Sequence, residues 1–181
     1  TGYSALLNEI LATSAEQEDK LKMEREELKN LRAMAGQGSS LSELASEVFK
    51  EAYLRISGSK KELKAVDDGE LDQRIKEAMA RQFEITAVLP GLRGQWREEL
   101  QNASQGLGES QLKPFTEKAE KIFNAYRSQL SEEKRLLLDI SLQGQRRKIL
   151  PMERQEVLAE LESFVLSRIF WVQDDLPVGL A

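Results

Sequence analysis

The chain contains no cysteine and no histidine. The first absence excludes disulfides, thiolate nucleophiles, iron–sulfur clusters and zinc–thiolate sites. The second excludes Ser–His and Cys–His catalysis, imidazole zinc sites and the Glu-x-x-His di-iron bundle. Proline is scarce at 4 residues, and aromatics make up 6%. No uncharged run approaches the ~20 apolar residues of a membrane-spanning helix. Basic residues are outnumbered, 26 against 31, for a net charge of −5. That balance argues against a nucleic-acid partner, which favours a basic face.

What is present is helical periodicity over nearly all of the 181 residues. Tyr3, Leu7, Ile10, Leu21, Leu28, Leu31 and Ala35 follow a rough heptad, with Ser14, Gln17 and Glu24 at its polar middle positions. This is a long amphipathic helix with a weakened seam. Gly36-Gln37-Gly38 ends it, and Ser40-x-x-Glu43 reads as a capping box opening a second helix. Leu41, Leu44, Ala45, Val48, Phe49, Ala52 and Ile56 share one face of that helix, which Ser57-Gly58-Ser59 is expected to break. Asp67-Asp68-Gly69 reads as a turn or cap.

A third helix carries Leu71, Ile75, Ala78, Met79 and Phe83, with an end or kink expected at Pro90-Gly91. Leu92, Trp96, Leu100 and Ala103 continue the stripe up to a break at Gly106-Leu107-Gly108. Phe115, Ala119, Ile122, Tyr126, Leu130, Leu137 and Ile140 form the next apolar face, interrupted at Gly144. After Pro151 come Val157, Leu158, Leu161, Phe164, Val165 and Ile169. No segment alternates with the period of a strand. The expected fold is therefore all-α: an extended up-and-down bundle of long antiparallel helices with coiled-coil-like segments. It forms one domain, with sub-bundles at 1–106 and 109–172.

The candidate chemistry is sparse. The adjacent carboxylates Asp67-Asp68, Glu98-Glu99, Glu132-Glu133 and Asp174-Asp175 point about 100° apart on a helix, so they are not preset for acid–base work on one substrate. Gly36-x-Gly38 and Gly106-x-Gly108 lack the third glycine and the preceding strand of a phosphate loop. No residue set calls for a metal or cofactor, and the chain reads as a non-enzyme. Two surface features remain. Arg146, Arg147 and Lys148 make a small basic patch suited to anionic lipid or an acidic partner helix. Arg168, Phe170, Trp171, Asp174 and Pro177 place aromatics at a helix end followed by a polar stop, the composition of an interfacial anchor.

The order Leu136-Leu137-Leu138-Asp139-Ile140, then Arg168-Ile169-Phe170-Trp171, a polar pair and Pro177, resembles a known family. It is similar to the membrane-proximal end of the periplasmic helical region in large multi-domain small-conductance mechanosensitive channels of Gram-negative bacteria. The resemblance covers about forty residues at the C-terminal end. It implies a fragment of a longer inner-membrane protein, periplasmic and non-enzymatic, with a mechanical, gating-modulating or assembly role. Its partners would be other subunits of a homo-oligomeric channel, a heptamer, and the membrane surface. The pore-lining helix is absent from this stretch, so conduction does not reside here. The alternative is a soluble helical adaptor for protein–protein interaction, which would be cytoplasmic.

Overall fold

A computed structural model describes the backbone of residues 2–36 and 42–174, and the side chains of 2–36 and 46–169. The fold is an all-α helical bundle of α1 (Gly2–Ala35), α2 (Ser42–Ala65), α3 (Gly69–Ser104) and α4 (Glu109–Asp174). Two compact units share these helices. The first takes residues 1–10 and 69–144, the second residues 11–68 and 145–181. The division does not follow the expected 1–106 and 109–172 boundary, because α1 and α4 each contribute to both units.

In the first unit α3 and α4 form an antiparallel hairpin. Arg81 pairs with Glu133 at 2.8 Å and Arg93 with Glu120 at 3.7 Å, so rising numbers on one helix meet falling numbers on the other. The turn at 105–108 uses Gly106 at φ 91°, a left-handed conformation that side chains strain to adopt. The Leu107 amide donates to the Ser104 carbonyl across it. Leu6 and Ile10 of α1 complete the core with Leu71, Ile75, Ala78, Ile85, Leu130, Leu137 and Ile140. Removing such side chains from water is the main favourable term.

In the second unit α1 and α4 run parallel. Three ion pairs recur one heptad apart along them: Glu18 with Arg146, Arg25 with Glu153, and Arg32 with Glu160. α2 packs beside α4, with Lys60 meeting Glu162 at 2.8 Å, and the parallel α1–α4 pair fits the expected up-and-down bundle. The first and third helices of an up-down-up bundle must point the same way. The core joins Leu28, Leu31, Phe49, Ala52, Ile56, Leu158, Leu161 and Val165. Phe49 meets Phe164 edge-on at 6.2 Å, a favoured aromatic geometry.

Several expected breaks are absent. α2 runs through Ser57-Gly58-Ser59, α3 does not end at Pro90-Gly91, and α4 runs through Gly144, and on past Pro151, as one helix of 66 residues. Packing on both sides of each site outweighs the local cost of one lost hydrogen bond or one glycine. The breaks at Gly36, at 66–68 and at 105–108 are where expected. Some core positions shift by one or two residues. Leu6 is buried more deeply than Leu7, Ile85 fills the place given to Met79 and Phe83, and Phe123 that of Ile122 and Tyr126; these last four are exposed.

Gly144 and Pro90 invite opposite substitutions. A Cβ at buried Gly144 would stand 3.2 Å from Ile75 Cγ2, with Ile75 itself in the core. Gly144→Leu is expected to destabilise the fold by about 1–3 kcal/mol through overpacking. Pro90 is exposed and inside α3. Pro90→Ala restores a backbone donor and is expected to stabilise by up to ~3 kcal/mol. Urea unfolding midpoints at unchanged slope measure both. A neutral Gly144→Leu or a destabilising Pro90→Ala contradicts this packing.

Candidate functional site

The α1 seam continues through polar residues at the heptad positions where a leucine would be expected. Ile10, Ser14, Gln17, Leu21, Glu24, Leu28 and Leu31 are spaced 4, 3, 4, 3, 4, 3, and all are buried. Helical phase forces Ser14, Gln17 and Glu24 inward whatever their polarity. The partner side chain comes from α4, where Leu150, Arg154 and Leu158 line up at spacing 4 on the buried face.

Arg154 is 2% exposed and its donors are arranged around two residues of α1. Nε donates to both oxygens of Glu24, at 3.1 and 3.2 Å, and Nη2 donates to Glu24 Oε1 at 2.6 Å. Nη1 donates to Gln17 Oε1 at 2.7 Å. This is the two-pronged guanidinium–carboxylate contact, with the remaining prong turned to an amide. Ser14 Oγ is buried without a hydrogen-bond partner among the described residues. A second buried guanidinium, Arg147, meets Asp68 at 2.6 Å.

Beside this layer lies a cavity of about 640 Å³ in the second unit, bordered by Glu24, Glu27, Arg55, Ser59, Glu62 and Arg154. Glu27 is paired with Arg55 and Glu24 with Arg154. Two of the carboxylates on its wall are thus held by fixed cations.

The first unit carries an apolar groove near the α3–α4 turn. Trp96, Leu100, Phe115, Ala119 and Ile122 line it, with Glu99 and Lys118 on its edges. Trp96 stacks on Phe123 at 5.4 Å between centroids, and Arg93 lies 5.1 Å over the same ring. Trp96 is part of the hairpin packing, as its place between Leu92 and Leu100 implied. Arg81 is held above its ordinary value, first by its hydrogen bond to Glu133 and then by Glu84. A cation whose folded value is raised contributes fully below its unfolded value, which for an arginine lies above the ordinary pH range, so Arg81 stays charged throughout it.

The sequence-derived site residues fare differently. The basic patch is divided: Arg146 pairs with Glu18, Arg147 is buried against Asp68, and Lys148 faces solvent. It does not present three free cations to a lipid surface. Of the anchor residues, Arg168 lies 5.3 Å over the Phe164 ring. Phe170, Trp171 and Asp174 are in the last turns of the α4 backbone, with side chains outside the described residues; Pro177 lies outside them altogether. No helix among the described residues is long and apolar enough to cross a membrane. The Arg154 network was not foreseen, although an arginine four residues from a core leucine on either side is its signature.

No protein-family profile matches the chain, and no curated protein or solved structure matches it either.

The buried pair sets a clear energetic expectation. Arg154→Ala leaves Glu24 buried and uncompensated, and should cost about 3–5 kcal/mol. Replacing both members with apolar residues, Glu24→Leu with Arg154→Met, should recover most of that loss. Urea melts of the single and double variants give the coupling between them. Additive losses would show that the two side chains do not act as a pair.

Proposed function

We propose that this chain is a non-enzymatic helical accessory domain of a mechanosensitive channel of the inner membrane, placed on the periplasmic side, where it bears load or modulates gating. The observation that carries the mechanical part is the buried Glu24–Arg154–Gln17 layer between the parallel helices α1 and α4. Sliding one helix along the other would separate desolvated charges, a motion opposed far more strongly than slippage of an apolar seam. α4 alone, at 66 residues, is roughly 100 Å long, enough to carry a displacement over a large distance. The channel part rests on the resemblance of the C-terminal element, Arg168 to Pro177.

A helical adaptor is the second reading. The apolar groove of Trp96, Phe115 and Ile122, with opposite charges on its two edges, favours it.

Patch recordings of the intact protein test the first reading. Substituting Gln17→Leu, Glu24→Leu and Arg154→Met together removes the charge layer while keeping an apolar seam. The expected result is a shifted tension threshold with unchanged conductance. An unchanged threshold removes the mechanical role of the layer. An intact protein that passes no current under tension removes the channel reading.

A further inference from the structure

We propose that the outward face of α4 is a self-association surface, on which a second copy of this chain lays its own α4 in parallel and in register. The face is defined by helical phase alone, since α4 is one unbroken helix. Opposite its buried seam, α4 carries Leu138, Leu142, Gln145, Ile149 and Met152, spaced 4, 3, 4, 3. The four apolar members are 47%, 62%, 51% and 63% exposed. Single exposed apolar residues are ordinary on a protein surface. Four in one row at coiled-coil spacing form a second seam, with Leu142 and Ile149 at a positions and Leu138 and Met152 at d.

The charges beside the seam select the occupant and its direction. In a parallel pair each g residue faces the e residue five positions on in the other helix. That sets Lys134 beside Asp139 of the second copy and Lys148 beside its Glu153, both attractive. Ser141 faces Arg146, which is neutral. An antiparallel pairing that layers Leu142 on Met152 and Gln145 on Ile149 would instead set Asp139 beside Glu153, a repulsive contact. Glu153 also touches Arg25 at 3.7 Å within its own chain, and its side chain remains 42% exposed, leaving it open to a second cation. Ile149 at a and Leu138 at d suit a two-stranded parallel pair. The seam is short, so the expected dissociation constant is on the order of 100 µM. The inference stands on this face and does not depend on the channel reading.

The natural absence of cysteine makes the test clean. In a parallel pair Met152 meets its own equivalent, so Met152→Cys should form a disulfide-linked dimer on mild oxidation. Glu98→Cys, at an exposed position on α3 and so off the seam, is the control. Lys148→Glu added to Met152→Cys should lower the dimer yield several-fold, and adding Glu153→Lys as well should restore it. Leu142→Asp, at an exposed position, should abolish association in sedimentation equilibrium while circular dichroism stays unchanged. Three results overturn the proposal. One is dimer yield from Met152→Cys no greater than from Glu98→Cys. Another is cross-linking that appears only when Leu138→Cys and Met152→Cys chains are mixed, which would mean an antiparallel pair. The third is a monomer alone at roughly ten times the expected dissociation constant.

Discussion

Arg154 enters the core of the second unit with its charge, and the local arrangement of α1 and α4 answers that charge. Desolvating a guanidinium and a carboxylate costs several kcal/mol for each ion, returned only where geometry and hydrogen bonds are good. Here the carboxylate of Glu24 takes three contacts and Gln17 takes a fourth. Such a layer adds little to stability compared with leucines of the same volume. Its effect is on alternatives. Shift α1 by one heptad in one direction and Arg154 lies level with Leu31; shift it in the other and Glu24 lies level with Leu161. Either slip strands a charge among apolar side chains.

The exposed ion pairs reinforce the same register. Glu18–Arg146, Arg25–Glu153 and Arg32–Glu160 are each worth little alone, being exposed and screened. Their signs alternate once along the row, from acidic to basic on α1. A one-heptad slip therefore sets Glu18 against Glu153, or Arg25 against Arg146, depending on direction. The native register holds three attractive pairs, whereas either slip leaves one attractive and one repulsive pair, so the charged flanks favour the native register over its neighbours.

From Ile10 to Leu31 the heptad of the first helix was legible, including its polar positions Ser14, Gln17 and Glu24. Their burial follows from phase alone. The answering residue was less legible, because an arginine in an acidic helical chain reads first as surface charge. Its neighbours Leu150 and Leu158 carried the signal. Glycine and proline were the least legible residues. Gly106 ends a helix because its φ of 91° turns the chain back. Gly144 does the opposite, remaining inside a helix where a Cβ would stand a tight 3.2 Å from the Ile75 side chain. The residue type is the same, and tertiary contact decides between the two roles. Pro90-Gly91 is expected to end or kink its helix, yet α3 continues past it with Leu89 and Leu92 packed on the core on either side, and that packing outweighs the missing donor.

These features distribute stiffness unevenly. Along α1 and α4 in the second unit, sliding is opposed by buried charge. In the middle of α3, Pro90 removes one backbone hydrogen bond, and Gly91 and Gly94 have no atom within 4 Å of where a Cβ would stand. Glycine and proline within a few residues of each other are the usual cause of a helix bend. A bend there is held only by the packing of Leu89 and Leu92 on the core of the first unit, whereas shear between α1 and α4 in the second must break the Arg154 contacts. The two responses belong to different units and rest on different residues, so one can be altered without the other.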